Sequence, residues 1–338
     1  MKDKVFRVCA SLSVVALLAG SQAVISRPPF QSPMMAGLSP TTSTTFRTTT
    51  TPVPTTATTG PTTTTLNPGE PVGLLTTTGV PVRVLATDGD LWLVSSPCGW
   101  DVWLSGGTPI YQTTVILDPG HGGSSDTGAT GPNGLQEKVV NLRIAREAQR
   151  LLDERGISNV LTRTGDYAST LRARAALADA LQATLMVSIH HNAPTPPPSP
   201  VPGNEVYVQS NSTQSRRLGE LLFENSMEAL GQFDIQWSST PNRGVMTVRH
   251  PEGHDVYGIL RHPSTPTALL EFGRLSHAPE AALFATNGYV RAAAGAVVEA
   301  VEAFLQTEEQ GSGWIDGLVR RANRSLSQTN CVDPDLGG

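Results

Sequence analysis

The chain has 338 residues, of which 16% are charged and 38% are hydrophobic, and its formal net charge is −5. This length accommodates one large domain with accessory segments, or two modest domains. The sequence contains no basic block and no stripe of interleaved basic and aromatic residues, so no nucleic-acid partner is expected. The 26 prolines and 32 glycines indicate that part of the chain lies outside a packed core.

Residues 1–23 have the organisation of an export signal. Lys2, Lys4 and Arg7 form a positive beginning, residues 8–18 are apolar, and residues 21–23 resemble a small-residue cleavage site. The apolar run is shorter than the roughly 20 residues of a membrane-spanning helix, and an uncleaved anchor is the alternative. We predict an exported protein, either secreted, associated with the cell wall or periplasmic, with no stable membrane span after the signal is cleaved.

Two segments of different composition follow the signal. Residues 24–69 are rich in Thr and Pro, which predicts a disordered linker because such residues bury too little apolar surface to offset chain entropy. Residues 70–110 predict a small β-rich accessory module, in which two β-prone runs flank Asp88 and Gly89, a strong hairpin signal. The module contains Trp100 and Trp103, and we expect both to fill its core rather than to stack on a sugar.

Residues 111–307 alternate between strand-like and helix-like runs. Strands are predicted at VILDPG, NVLTR, TLMVSIH, EVYVQS and TALLEFG. Helices are predicted at GLQEKVVNLRIAREAQRLLDERG, STLRARAALADALQA and SRRLGELLFENSMEALGQ, and one long helix is predicted from PEAALF to AFLQ. The buried face of the first helix is expected to comprise Leu135, Val139, Leu142, Ala145, Ala148 and Leu152. This alternation predicts an α/β domain with a twisted, largely parallel sheet flanked by helices.

The last segment, residues 308–338, predicts a short helix and a tail to which no function is assigned. It contains Cys331, and the only other cysteine outside the predicted signal is Cys98. Export permits a disulfide between them, because oxidising compartments allow such bridges to form. Two free thiols are the alternative, and the sequence does not decide between them.

Four side chains suited to metal chemistry lie at one predicted edge of the sheet. His121 follows the strand VILDPG, His190 ends LMVSIH, and Glu271 lies at the end of ALLEFG. Glu137 opens the first helix, one loop after His121. Ligands of open α/β sheets bind at this edge, and catalytic zinc sites combine three such ligands with a carboxylate that takes a proton from water. Alternatively, Glu137 is a first-turn carboxylate favoured by the helix dipole and Glu271 pairs with an arginine.

Four separated stretches carry a more specific signature. They are, in order, ILDPGHGG with DTGATGPNGLQEKVVNL, VSIHHNA, NRGV, and ALLEFGRLS with EAALF. They resemble the zinc-dependent N-acetylmuramoyl-L-alanine amidases of the amidase-3 type, which are peptidoglycan hydrolases, over roughly residues 113–306. The resemblance implies that His121, Glu137 and His190 hold one zinc ion and that Glu271 is the catalytic glutamate.

The activity implied by the resemblance is hydrolysis of the amide between N-acetylmuramic acid and L-alanine, in cell-wall turnover or cell separation. Peptidoglycan is then the substrate, and an activator protein is a further partner to be tested. Two other interpretations stay open: a zinc hydrolase that acts on another exported peptide or amide, and a non-catalytic protein that binds the cell wall.

The sequence departs from the family pattern at His191, where a small residue is usual. Because successive strand residues face opposite sides of a sheet, we expect His191 to be a neighbour of the zinc site rather than a ligand. We expect it to crowd the cleft or touch the substrate. Arg274 and His277 are further departures, at positions usually occupied by an apolar residue and by Asn.

Two loops near the predicted site have unusual compositions. Three histidines, His250, His254 and His262, form either a second polar cluster or a set of solvated loop side chains. Residues 193–203 are rich in proline, which favours an extended conformation, and we expect them to form a stiff rim beside the site.

Overall fold

The computed structural model describes residues 69–193, 203–235, 237, 244–308 and 331–337. The predicted signal, almost all of the Thr/Pro linker, the proline-rich residues 194–202 and the predicted C-terminal helix lie outside these ranges. Among the helices within them, none combines the length and the apolar character that crossing a membrane requires.

The β-rich accessory module is a five-stranded antiparallel sheet with the order β4-β3-β2-β1-β5. Its strands are β1 Gly73–Leu75, β2 Pro81–Asp88, β3 Leu91–Ser95, β4 Asp101–Ser105 and β5 Thr108–Ile110. The predicted hairpin is confirmed, since Asp88 pairs with Leu91 across a two-residue turn. The first turn residue, Gly89, has a φ of 57°, which glycine adopts without the steric cost that other residues incur.

The prediction that two tryptophans fill the core of this module is wrong. Trp100 is 52% exposed and Trp103 is 49% exposed. Along β4, Leu104 faces the module core, and side chains alternate between the two faces of a strand, so Trp103 must face outward. The core is formed instead by aliphatic side chains, namely Leu74, Val80, Val82, Val84, Val94, Leu104 and Leu336.

The C-terminal residues 331–337 pack against this module. Cys98 and Cys331 form a disulfide with a Cα–Cα distance of 5.5 Å, which decides the question that the sequence left open. The backbone N–H of Cys98 donates to Asp333 Oδ1 at 2.7 Å, and Leu336 is 8% exposed. The end of the chain is therefore a structural part of the small sheet.

The larger sheet has the strand order β10-β9-β11-β8-β6-β7. Its strands are β6 Val115–Pro119, β7 Asn159–Leu161, β8 Leu185–Asn192, β9 Glu205–Val208, β10 Val245–Met246 and β11 Thr267–Arg274. Neighbouring strands are parallel except for β9 and β11, which are antiparallel. The predicted largely parallel sheet is thus confirmed.

Helices cover both faces of the larger sheet. They are α1 Glu137–Glu154, α2 Leu171–Ala180, α3 Thr213–Leu230, α4 Gly258–Arg261, α5 Ala278–Phe284 and α6 Asn287–Glu308. One face, which includes Val187 and Leu270, packs against α1, α3, α5 and α6. The opposite face, which includes Met186 and Leu269, packs against α2 and α4. The predicted arrangement of a sheet flanked by helices is confirmed.

Two details of the helix predictions are wrong. The last helix is divided into α5 and α6, because the Thr286 side chain accepts a hydrogen bond from the Tyr289 N–H at 3.2 Å and caps a new helix there. In α1, Val139 is 42% exposed, and the buried face instead includes Val140 and Ile144. Apolar spacing alone left the orientation of this helix uncertain by one residue.

Candidate active site

The carboxyl ends of β6, β8 and β11 place the predicted site residues at one edge of the larger sheet. His190 and Glu271 are cross-strand partners on the parallel strands β8 and β11, so their side chains share a face. The loop after β6 carries His121, and Glu137 is the first residue of α1. The ligand atoms of His121, Glu137 and His190 all lie within 4.8 Å of one another. We call these three residues the inner triad.

Glu137 is the centre of the inner triad. Its Oε2 lies 3.2 Å from His121 Nε2, and its Oε1 lies 2.9 Å from His190 Nδ1. The two imidazole rings meet edge to face, with centroids 4.9 Å apart. The Glu137 side chain is only 6% exposed, whereas those of His121 and His190 are 25% and 16% exposed. The imidazole nitrogens and the carboxylate oxygens therefore converge at the opening of the site, and Glu137 is the most buried of the three residues.

Backbone groups fix the orientation of the Glu137 carboxylate. The Ala129 N–H donates to Oε2 at 2.9 Å, and the His191 N–H donates to Oε1 at 3.1 Å. Burial by itself would raise the pKa of this carboxyl. Hydrogen bonds and charge from His121 and His190 outweigh burial, so the pKa lies well below its usual range. Glu137 is thus a rigidly held anion.

His121 occupies a strained backbone position that aims its ring at the inner triad. Its φ is 63°, in the left-handed region that residues other than glycine rarely adopt. Nδ1 lies 2.6 Å from Asp126 Oδ1, so the ring is held between two carboxylates. Burial opposes protonation, but Asp126 and Glu137 together raise the pKa of His121 to about 10. Asp126 was missed by the sequence analysis, although it lies only five residues after His121.

Two buried arginines support the loop of His121 from below, and sequence reasoning missed both. Arg174 Nη1 lies 2.7 Å from Asp118 Oδ1, and both side chains are at most 2% exposed. Arg174 Nη2 donates to the His121 carbonyl oxygen at 2.8 Å. Arg163 Nε donates to the Pro119 carbonyl oxygen at 2.8 Å. The available signals were a charged residue inside the fully buried strand β6, at Asp118, and a second charged residue two positions after the end of β7, at Arg163.

Glu271 lies beside the inner triad, and one of its oxygens lacks a partner. Within the described residues, its buried Oε2 has no hydrogen bond. Burial and the charge of Glu137 raise the pKa of Glu271 well above its usual range, although His121 acts in the opposite direction. Among the described residues no ion pair joins Glu271 to an arginine, and Arg274 pairs with Glu205 at 3.5 Å. Glu271 therefore readily holds a proton.

His191 faces the protein core. It lies on the opposite face of β8 from His190, as strand alternation predicts, and it is 1% exposed. The expectation that it crowds the cleft or touches the substrate is wrong. Its ring packs edge to face on Phe284 at 4.6 Å, and burial lowers the pKa of the imidazole to about 3. A small residue is therefore not required here, because the side chain points away from the cleft.

A second group of the same composition lies on the surface. The rings of His250 and His254 stack with centroids 4.7 Å apart. Glu252 Oε2 lies 3.8 Å from His250 Nδ1 and 3.5 Å from His254 Nε2. We call His250, Glu252 and His254 the outer triad; His262 is not part of it. Two of the three loop histidines thus form a cluster, together with a glutamate that the sequence analysis did not consider.

The fold and the site together define an α/β protein whose inner triad has the donor set of a catalytic zinc site, with a spare carboxyl beside it. The N-acetylmuramoyl-L-alanine amidase family, Amidase_3, matches residues 115–303. This match covers more than half of the chain, and the chain belongs to that family. It is therefore an enzyme of the class that hydrolyses the amide bond between N-acetylmuramic acid and L-alanine in peptidoglycan.

Individual relatives are similar to this chain in sequence or in structure. The chain is 33% identical over 220 residues to the uncharacterized protein YqiI of Bacillus subtilis, covering 63% of this chain and 97% of YqiI. It is 32% identical over 191 residues to N-acetylmuramoyl-L-alanine amidase LytC of the same species, covering 56% of this chain and 35% of LytC. An N-acetylmuramoyl-L-alanine amidase structure from Clostridium difficile 630 has 26% identity and a TM-score of 0.50, covering 58% of this chain and 98% of that chain.

Proposed function

We propose that this chain hydrolyses the peptidoglycan amide with one zinc ion, held by His121, Glu137 and His190, and with Glu271 as the general base. Family membership supports the reaction, and the converging donors of the inner triad support the metal. The observation that carries the proposal is the position of Glu271. Its buried Oε2, which has no hydrogen bond within the described part of the chain, lies beside three side chains of zinc-ligand type.

The residues present fit zinc in their chemistry and in their support. Two imidazole nitrogens and one carboxylate are a common set of protein ligands for catalytic zinc, which leaves a further position for water or substrate. Asp126 engages Nδ1 of His121, and such a contact fixes which ring nitrogen is available to a metal. Zinc binding to the inner triad would release the proton that His121 holds at neutral pH, because only the neutral imidazole is a metal ligand.

Zinc bound at this site would polarise the scissile carbonyl and lower the pKa of water. Burial makes the Glu271 carboxylate a stronger base than an exposed one. With the site loaded, the positive charge of zinc would favour the carboxylate form of Glu271, which accepts the proton of the attacking water. Glu271 then delivers that proton to the amino group of L-alanine as the carbon–nitrogen bond breaks. Glu137 stays anionic throughout, because its hydrogen bonds favour the charged form.

The proposed substrate requires the protein to act outside the cytoplasm. The predicted export signal in residues 1–23 supports secretion, cell-wall association or a periplasmic location. LytC, a relative by sequence, is named as an amidase of this type. We retain an activator protein only as a factor to be added to the assay below.

The assay is release of soluble fragments from purified peptidoglycan by the full chain. We expect release to stop with a chelator, to return with zinc, and to yield stem peptides that begin with L-alanine. Glu271→Gln should bind one zinc ion per chain, as the wild type does, and should lower kcat by about 10²–10⁴-fold.

The rival functions give different results in the same assay. Products without amino-terminal L-alanine would indicate another peptide or amide as substrate. Binding of peptidoglycan without release, even after extracts that contain candidate activators are added, would indicate a non-catalytic wall-binding protein. Full activity of Glu271→Gln would overturn the assignment of the base.

A further inference from the structure

A series of buried hydrogen bonds connects α6 to the inner triad. The Tyr289 hydroxyl lies 2.7 Å from His191 Nε2, and His191 Nδ1 lies 2.8 Å from Asn141 Oδ1. Asn141 Nδ2 donates to Glu137 Oε1 at 3.4 Å and to the Gly120 carbonyl oxygen at 3.3 Å. Tyr289, His191 and Asn141 are each at most 1% exposed, and we call them the buried relay.

The direction of every hydrogen bond in the buried relay follows from its last member. Asn141 faces a carboxylate and a carbonyl, which only accept, so its amide nitrogen must point at them. Its oxygen therefore faces His191, and Nδ1 of that ring must carry a proton. Nε2 is then an acceptor, and the Tyr289 hydroxyl donates to it. A single arrangement satisfies all three side chains.

Aromatic side chains fix the His191 ring in this arrangement. The ring packs between Phe272 and Phe284, with centroids 6.0 Å and 4.6 Å away. A buried polar chain with all partners satisfied is rigid, and losing one partner is costly.

The relay ends on the oxygen that faces His190. Glu137 Oε1 receives the Asn141 amide and the His191 N–H, and it lies 2.9 Å from His190 Nδ1. His191 thus supports this oxygen twice, through its backbone and through its ring by way of Asn141. We propose that Tyr289, His191 and Asn141 are positioning residues that hold Glu137 in its metal-binding orientation and so strengthen zinc binding. This inference rests on the proposed zinc site.

The test is the zinc dissociation constant of the full chain, measured by competition with a chromophoric chelator. Tyr289→Phe removes one hydroxyl and leaves Nε2 of His191 without its donor. We expect zinc to bind about tenfold more weakly, and about a hundredfold more weakly in His191→Leu, the range typical of lost outer-shell partners. His191→Gln keeps a donor and an acceptor and should bind zinc more tightly than His191→Leu.

The matched control is Ser215→Ala, which removes another buried hydroxyl. Ser215 Oγ donates to the Thr267 carbonyl oxygen at 2.5 Å. Thr267 is the first residue of β11 and precedes Glu271 by four residues. It should lower the free energy of unfolding without changing the zinc dissociation constant.

Two results would overturn the inference, and they are distinguishable. If Tyr289→Phe and His191→Leu lose stability but bind zinc like the wild type, the relay is structural only. If Glu137→Gln binds zinc as tightly as the wild type, the inner triad is not the zinc site and the proposed function fails with it.

Discussion

The inner and outer triads contain the same residue types at similar separations but differ in their support. In the inner triad, the central Glu137 side chain is 6% exposed and two backbone N–H groups orient its oxygens. In the outer triad, the central Glu252 side chain is 77% exposed. It lies on a turn that the His250 N–H closes by donating to the His254 carbonyl oxygen at 2.7 Å.

We infer from this difference that the support of a site, and not its ligand chemistry alone, selects the proposed zinc site. An exposed glutamate such as Glu252 loses side-chain entropy when it binds a metal, whereas the buried Glu137 side chain has lost most of that entropy during folding. A further buried carboxyl, that of Glu271, lies beside the inner triad on the strand next to His190. The two triads therefore serve as an internal control for each other.

The largest effect is expected from changing the central glutamate of each triad. Glu137→Gln removes the charge that the two inner imidazoles surround, so tight zinc binding and fragment release should fall to background. Glu252→Gln makes the same chemical change on the surface and should leave both unchanged. Zinc titration with the peptidoglycan assay checks this; equal losses in the two variants would contradict it.

Glycine substitutions sharpen the comparison by matching backbone strain. Gly128 and Gly253 have φ values of 64° and 90°, so alanine at either costs about 1–2 kcal/mol. A Cβ at Gly128 would lie 2.6 Å from both Glu137 Oε2 and His121 Cδ2, whereas at Gly253 the nearest atom is 3.8 Å away. Both variants should lose stability by denaturant unfolding, Gly128→Ala more than Gly253→Ala because of these close contacts, and only Gly128→Ala should lose zinc binding. A zinc affinity unchanged in Gly128→Ala would show that the inner triad tolerates displacement.

The last prediction concerns the stability contributed by a buried carboxyl that lies outside the triads and leaves zinc binding unaffected. Burial raises the pKa of Glu280 to about 8, whereas the imidazoles of the inner triad lower that of Glu137. Because the folded protein keeps this proton to higher pH than the unfolded chain, stability is lost as the pH rises from about 4.5 to 8. Relative to Glu280→Gln, the wild type should lose up to about 1.4 kcal/mol per pH unit in that window. Unfolding curves at pH 5, 6 and 7 test this, and a constant difference would contradict it.

Much of the edge that carries the site was predictable, because strand periodicity locates strand ends. His190 and Glu271 end predicted strands, and parallel pairing brought them side by side. The partners that hold the site were not predictable. Asp118 and Arg174 are separated by 56 residues, and no periodic pattern reports a hydrogen bond over that distance. The sequence likewise did not indicate that His191 is a buried part of the support.

The accessory module shows the same limit. Its hairpin was predictable from Asp88 and Gly89, because turn chemistry is local. The outward orientation of Trp103 was not, since it depends on which face of the small sheet packs inward. The disulfide between Cys98 and Cys331 closes 233 residues of sequence, and only the fold decides whether the two cysteines meet.

The most direct test of the zinc assignment is anomalous scattering at the zinc absorption edge from crystals of the zinc-loaded protein. We predict a strong peak bounded by His121, Glu137 and His190, with Glu271 beside it, at zinc concentrations where the outer triad shows none. A peak at His250, Glu252 and His254 with none at the inner triad would contradict the account. It would show that the buried support around Glu137 does not determine where zinc binds.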